Sequence, residues 1–174
     1  MALAEELRDI LGDKVQSGSH DYFPDLIRHL KPKHILELGT GAGTTAALIM
    51  EALSAESFLT TISWPNPPSG DPVGVKLEKW RGDERLRMIT GDTISVESRN
   101  QIKSLLIDIL FIDSDHRYEH IKKEMDLYKW LLKDGCLVVV DDLDHDDMMR
   151  FWDELPYDKF DISNVGFFRY ELYR

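Results

Sequence analysis

Short apolar runs that alternate with stretches of helical spacing constrain this chain more than any other feature. His34–Leu38 (HILEL), Phe58–Ser63 (FLTTIS), Leu86–Thr90 (LRMIT), Ile107–Ile112 (IDILFI) and Cys136–Val140 (CLVVV) read as strands, most of them apolar enough to be buried on both faces. Strand then helix, repeated, is the pattern of a parallel sheet covered on both sides. A helix is expected from Thr44 to Leu53 and another over 73–80, inside a long connection at 64–84 that holds Pro65, Pro67, Pro68 and Pro72. Tyr118, Ile121, Met125, Tyr128 and Leu132 step by three and four, so 117–133 reads as a core-facing helix closed by Asp134-Gly135. Residues 145–154 read as a further helix, with Asp144 as its N-cap. Two helices, over 2–12 and around Phe23–Leu30, precede the first strand, the second stopped by Pro32. Phe160–Ile162 and Phe167–Leu172 are expected to close the fold as an antiparallel hairpin turning at Asn164-Val165-Gly166.

Composition narrows the function classes. With 174 residues the chain suits one domain over 1–174, with N-terminal helices in 1–32 and a core over 33–174. Lys and Arg number 21 against 32 Asp and Glu, a net charge of −11 that would repel a phosphate backbone or an anionic membrane surface. Arg81, Arg85 and Arg87 are interrupted by Asp83 and Glu84, so no basic stripe compensates. No nucleic-acid or membrane partner is therefore expected, and no run approaches the roughly 18–20 apolar residues that span a bilayer. The start, MALAEEL, lacks the apolar core of a secretory signal. The single cysteine, Cys136, permits no internal disulfide and suits a reducing cytoplasm. Phe151, Trp152, Tyr157, Phe160, Phe167, Phe168, Tyr170 and Tyr173 crowd the C-terminal part. Strand alternation would turn half of them to a second surface, such as the interface of a homo-oligomer.

Glu37-Leu38-Gly39-Thr40-Gly41-Ala42-Gly43-Thr44 follows the first strand. Glycines there let the backbone approach a ligand closely, and the following helix N-terminus carries free N–H groups and partial positive charge. The dinucleotide fingerprint G-x-G-x-x-G/A competes for the same residues. Counted from Gly39 it fails at Thr44; counted from Gly41 it reaches Ala46, but its first glycine then lies two residues beyond the strand. A plain linking turn is the other alternative.

Together, ILELGTGAGTTA, ITGDT, DILFIDSDHRYEHIKKEMDLYKWLLKDGCLVVVDDL and the terminal hairpin resemble the class I S-adenosylmethionine (SAM)-dependent methyltransferases. Within them, the chain is similar over about 20–174 to small-molecule O-methyltransferases whose fourth strand ends in F-I-D-x-D-H-x-Y. The resemblance implies an α/β, doubly wound, seven-stranded, mostly parallel Rossmann-like sheet with a C-terminal antiparallel hairpin. It implies that Gly39, Thr40, Gly41, Gly43 and Thr44 approach the methionine part of SAM and that Glu37 orients the turn. Asp92 and Thr93 would lie beside the adenine, and Asp113 where the methyl points. Such enzymes end the second strand with an acid for the ribose hydroxyls; here that position falls on Ser63 or Trp64. A serine lacks the charge that makes such bonds roughly twice as strong, whereas Trp64 could stack on the adenine.

Asp113, Asp141 and Asp142 stand at the C-terminal ends of neighbouring fourth and fifth strands. Carboxylates gathered there repel unless a cation joins them, and hard oxygen donors suit Mg²⁺, Mn²⁺ or Ca²⁺. The resemblance implies the same three positions for a divalent metal that acidifies a substrate hydroxyl; the bland alternative is an acid cluster that offsets a helix dipole. Asp115 is the first candidate to take the substrate proton, as the resemblance implies for sugar-type members, and His116 the second. The alternative for His116 is to orient Asp113 or Asp142. His145 is a weaker metal candidate. His20 reads either as an ordinary loop residue or as a cover for the cofactor.

The function expected is SAM-dependent methyl transfer to a hydroxyl of a small sugar- or phenol-type molecule, assisted by Mg²⁺. Its rivals are a non-catalytic cofactor-binding or regulatory domain, motivated by the missing second-strand acid, and a nicotinamide-dependent oxidoreductase.

Overall fold

A computed structural model describes residues 3–12, 14–15, 20–65, 72–102 and 106–172. The expected loop at Ser17-Gly18-Ser19, the middle of the proline-rich connection (66–71, with Pro67 and Pro68) and Tyr173 lie outside the described residues. The elements are α1 (Leu3–Leu11), α2 (Phe23–Leu30), β1 (His34–Leu38), α3 (Thr44–Ala52), β2 (Phe58–Ser63), β3 (Leu86–Thr90), α4 (Val96–Asn100), β4 (Ile107–Ile112), α5 (Tyr118–Tyr128), β5 (Leu132–Val140), α6 (Asp146–Glu154), β6 (Lys159–Ile162) and β7 (Val165–Arg169).

One seven-stranded sheet runs β3-β2-β1-β4-β5-β7-β6. The first five strands are parallel and β7 and β6 return antiparallel, the doubly wound, mostly parallel architecture expected. Every residue of β1 is buried, as are five of six in β2 and in β4, because helices cover both faces. On one face α1, α2 and α3 pack Leu7, Phe23, Leu26 and Ile49 against Ile35, Phe111 and Val139. On the other, α5 and α6 pack Ile121, Tyr128, Met148 and Trp152 against Leu36, Leu110 and Val138. Helix α2 ends at Leu30, with Lys31 in the left-handed region (φ 50°) and Pro32 next. Among the described residues no helix is long and apolar enough to cross a membrane.

Several boundaries differ from the sequence reading, each for a packing reason. The expected helix over 117–133 stops at Tyr128 and tightens into a 3₁₀ turn at Lys129–Leu131. Asp134-Gly135 does not cap it, because β5 has already begun at Leu132. Gly135 (φ 77°) instead serves an irregularity in the β4–β5 register, its N–H donating to the Tyr170 carbonyl at 2.8 Å. Strand β7 starts at Val165, and the turn uses Ser163 (φ 58°) and Asn164. Gly166 marks close approach rather than a turn, since a Cβ there would stand 2.6 Å from the Trp152 ring. His145, not Asp144, is the N-cap of α6 and makes no capping bond. The helix expected over 73–80 is a 3₁₀ helix at Val75–Trp80. Among the described residues the expected second aromatic surface does not form: Phe151, Trp152, Phe167, Phe168 and Tyr170 are buried, while Tyr157 and Phe160 pack partly buried against the core.

Candidate functional site

Strand order reverses at β1, which has β2 on one side and β4 on the other. Ligands of open α/β sheets bind in the crevice at such a point. Here the Asp113 N–H donates to the Leu38 carbonyl at 2.9 Å, and the Gly39 N–H to that of Ile62 at 2.9 Å. Gly39 (φ 108°) lies so close to the end of β4 that a Cβ would stand 1.8 Å from the Asp113 carbonyl oxygen. Gly43 (φ 86°) is the N-cap of α3, and no side chain caps it.

A cleft of about 770 Å³ opens over this turn. Its wall carries Gly39, Thr40, Gly41 and Thr44 from the turn and α3, with Ser63 and Trp64 from the end of β2. Thr93, Asp113 and Asp115 line it too. Ser63 is buried, whereas Trp64 is 53 % exposed. Glu37, Gly43 and Asp92 stand off that wall. Asp92 turns its carboxylate to the Ile94 N–H at 3.0 Å. Glu37 is buried in β1; it accepts from Thr61 Oγ1, whose oxygen lies 2.6 Å from Thr40 Oγ1, so a chain of hydroxyls joins the acid to the turn. Its Oε1 has no hydrogen-bond partner among the described residues, and burial pushes its pKa up to about 8, against the pull of the Thr61 hydroxyl.

The three aspartates at the ends of β4 and β5 fall into two groups. Asp113 and Asp141 gather with His20, their donor atoms within 4.8 Å of one another. His20 Nε2 lies 2.7 Å from Asp141 Oδ2, and Nδ1 lies 2.5 Å from Thr45 Oγ1. Burial alone would depress the His20 pKa, but the Asp141 carboxylate overrides it and raises it. Asp113 is also raised, by burial and by Asp141, against the pull of His116. Asp141 Oδ1 is buried without a hydrogen-bond partner among the described residues. Asp142 instead joins His116 and His145. It sits at φ 57° with Oδ2 3.2 Å from His116 Nε2, and its Oδ1 accepts from Asn164 Nδ2 at 3.2 Å. His116 thus stands between Asp142 and Asp113, the latter at 3.6 Å, and is off the cleft wall. The carboxylate of Asp113, then those of its neighbours, raise its pKa.

Asp115 is on the wall but gripped by Arg117, whose Nε and Nη2 donate at 2.8 and 2.6 Å and lower its pKa. Sequence reasoning gave no role to the polar cluster behind it. Buried Glu124 accepts from Ser114 Oγ at 2.6 Å and lies 3.2 Å from His120 Nε2, which is 2.9 Å from Thr93 Oγ1. The signal was available: His120 and Glu124 stand four residues apart, so one face of α5 carries both polar groups.

Among solved structures, the chain is similar to the O-methyltransferase TomG from Streptomyces achromogenes, involved in tomaymycin synthesis, in complex with SAM. The TM-score is 0.68 at 18% identity, over 95% of this chain and 86% of that one. It is similar to the O-methyltransferase from Bacillus cereus in complex with SAH, with TM-score 0.67, 15% identity, and 95% and 86% coverage. The SAH-bound Podospora anserina methyltransferase PaMTH1 gives 0.69 at 18% identity, over 96% and 85%. At such identities the likeness is one of fold. No curated protein sequence matches significantly. Residues 36–143, more than half of the chain, match the family model described as a methyltransferase domain, and the chain therefore belongs to that family.

Proposed function

We propose that the chain, as one domain, transfers a methyl group from SAM to a hydroxyl of a small hydroxylated molecule of sugar or phenol type. The observation that carries this reading is the glycine turn at the β1/β4 crossing, which opens into one cleft that Asp113 and Asp115 also line. The SAM and SAH in the related folds support the cofactor. The turn and α3 would take the methionine part, and Ser63, Trp64 and Thr93 the ribose and adenine. Catalysis is then mostly alignment, since the sulfonium already carries an activated methyl group.

A divalent ion such as Mg²⁺ fits the residues present. Asp113 and Asp141 bring carboxylates together, and the unpartnered buried Asp141 Oδ1 asks for a cation. These two would hold it, whereas Asp142 turns to His116 and His145. Such an ion supplies acidification of a bound hydroxyl. Asp115 then accepts the proton, because it faces the cleft, while His116 positions Asp113 and Asp142.

Titration calorimetry with SAM and SAH, with and without Mg²⁺, followed by an acceptor screen, tests the reading. Micromolar binding is expected; no binding under either condition overturns it. Asp113→Ala should lower turnover at least a hundredfold, a loss typical of transition-state electrostatics, with the circular dichroism unchanged. Asp115→Asn should lower kcat about a hundredfold or more, and His116→Gln less. The reverse order would move the base to His116. Ser63→Asp should tighten SAM binding about tenfold, or about 1.4 kcal/mol. Unchanged affinity would place the ribose elsewhere.

A further inference from the structure

Of the group formed by His116, His145 and Asp142, the chemistry above uses only His116, as a positioning residue for Asp113 and Asp142. Three segments deliver it: the turn after β4, the end of β5 and the N-cap of α6. One donor atom from each lies within 4.8 Å of the other two, and the imidazole centroids are 5.1 Å apart. His116 Nε2 is a buried nitrogen with no hydrogen-bond partner among the described residues, although Asp142 Oδ2 stands 3.2 Å away. Contact without a hydrogen bond is what two ligands of one ion would show. Donor atoms around a tetrahedral ion with bonds of about 2.0–2.1 Å stand roughly 3.3 Å apart. His116 and Asp142 already have that spacing, and His145, which is exposed, has room to close on them.

Two further features prepare the site. Asp142 occupies the left-handed region without being glycine, and such strain persists only where its surroundings impose it. The Asn164 amide holds Oδ1 and leaves Oδ2 directed at His116, the kind of outer bond that orients metal ligands.

We propose that His116, His145 and Asp142 bind a borderline transition-metal ion of the Zn²⁺, Co²⁺ or Ni²⁺ class, at a position distinct from the Asp113–Asp141 pair. Two imidazoles and one carboxylate favour such ions over Mg²⁺, which prefers oxygen donors and keeps its waters. Three protein ligands leave a coordination position open, and it would lie beside the cleft, where a hydroxyl or carboxylate could enter it. The site stands whether or not the chain transfers methyl groups.

The test is titration of the EDTA-treated full chain with Co²⁺, read by visible absorption. One equivalent should bind with micromolar affinity and the absorption of a nitrogen-ligated ion, and excess Mg²⁺ should not displace it. His145→Ala should weaken binding at least tenfold and bleach the band. The side chain is exposed, so the fold is not at stake, and thermal unfolding checks this. His116→Gln should do the same, whereas Asp141→Asn should leave the affinity within about twofold. Zn²⁺ should shift the long-range ¹⁵N resonances of both imidazoles. Co²⁺ binding that His145→Ala leaves unchanged, or a wild-type chain that yields no such band, overturns the proposal.

Discussion

Gly39→Ala is expected to destabilise the protein by about 3 kcal/mol or more and to abolish SAM binding, because two separate penalties meet at this residue. The first is conformational. At φ 108° a non-glycine residue is strained whatever the space around it. The second is steric. The new Cβ would lie 1.8 Å from the Asp113 carbonyl oxygen and 2.5 Å from its carbonyl carbon. Both atoms are backbone at the end of a central strand, so no side chain can rotate away. Relief requires β1 and β4 to part where the Asp113 N–H meets the Leu38 carbonyl and Asp113 is aimed into the cleft. Gly41→Ala supplies the control. It also sits at positive φ, 48°, but a Cβ there meets none of the described residues within 4 Å. It should cost about 1–2 kcal/mol from the left-handed conformation alone. Urea unfolding of both variants, with SAM titration, separates the effects. Equal losses would mean that close packing at Gly39 is not what holds the site.

The same contrast explains what was legible in the sequence. A strand buried on both faces announces itself as a largely apolar run, as β1, β4 and the end of β5 did, whereas β3 (LRMIT), at the sheet edge with one buried residue of five, is more mixed. The glycine turn was legible because positive φ and close approach both demand glycine. The misplaced ends of α5, β5 and β7 share one cause: Gly135 and Gly166 read as turn punctuation, yet one serves a register irregularity and the other admits the Trp152 ring. Nothing local distinguishes these uses, because the partner surfaces come from distant parts of the chain. The acids at the strand ends were legible as a set, but their division was not. Which of Asp141 and Asp142 turns to which neighbour depends on the φ of Asp142 and on the contact with Asn164, a residue of the hairpin turn. His20 shows the same limit. It sits 121 positions from Asp141, and only the packing of α2 over the sheet brings the two together.

Glu37→Gln is expected to make the protein more stable at about pH 8 by roughly 2–4 kcal/mol, with the difference fading toward about pH 4–5. The folded-state pKa of Glu37 is raised from an ordinary 4.5 to about 8 by burial. Below the ordinary value both folded and unfolded chains carry the proton, and the group is neutral toward stability. Between the two values the unfolded chain releases the proton and the folded chain keeps it. Stability therefore falls as pH rises through this window and levels off above it. Each pH unit of the window is worth at most about 1.4 kcal/mol, a ceiling that water entry into the site would lower. Glutamine keeps an oxygen for Thr61 and cannot ionise, so urea unfolding of both proteins at several pH values isolates the contribution of this one group. Parallel profiles would show that the carboxyl is ionised and paired in the folded state. The expected divergence has a functional corollary. A buried acid that weakens the fold at neutral pH, with Oε1 unpartnered beside the glycine turn, is suited to a cation. The ammonium of SAM is the one the proposed reaction supplies. Glu37→Gln should therefore gain stability and lose SAM affinity together, whereas a purely structural acid would show only the first effect.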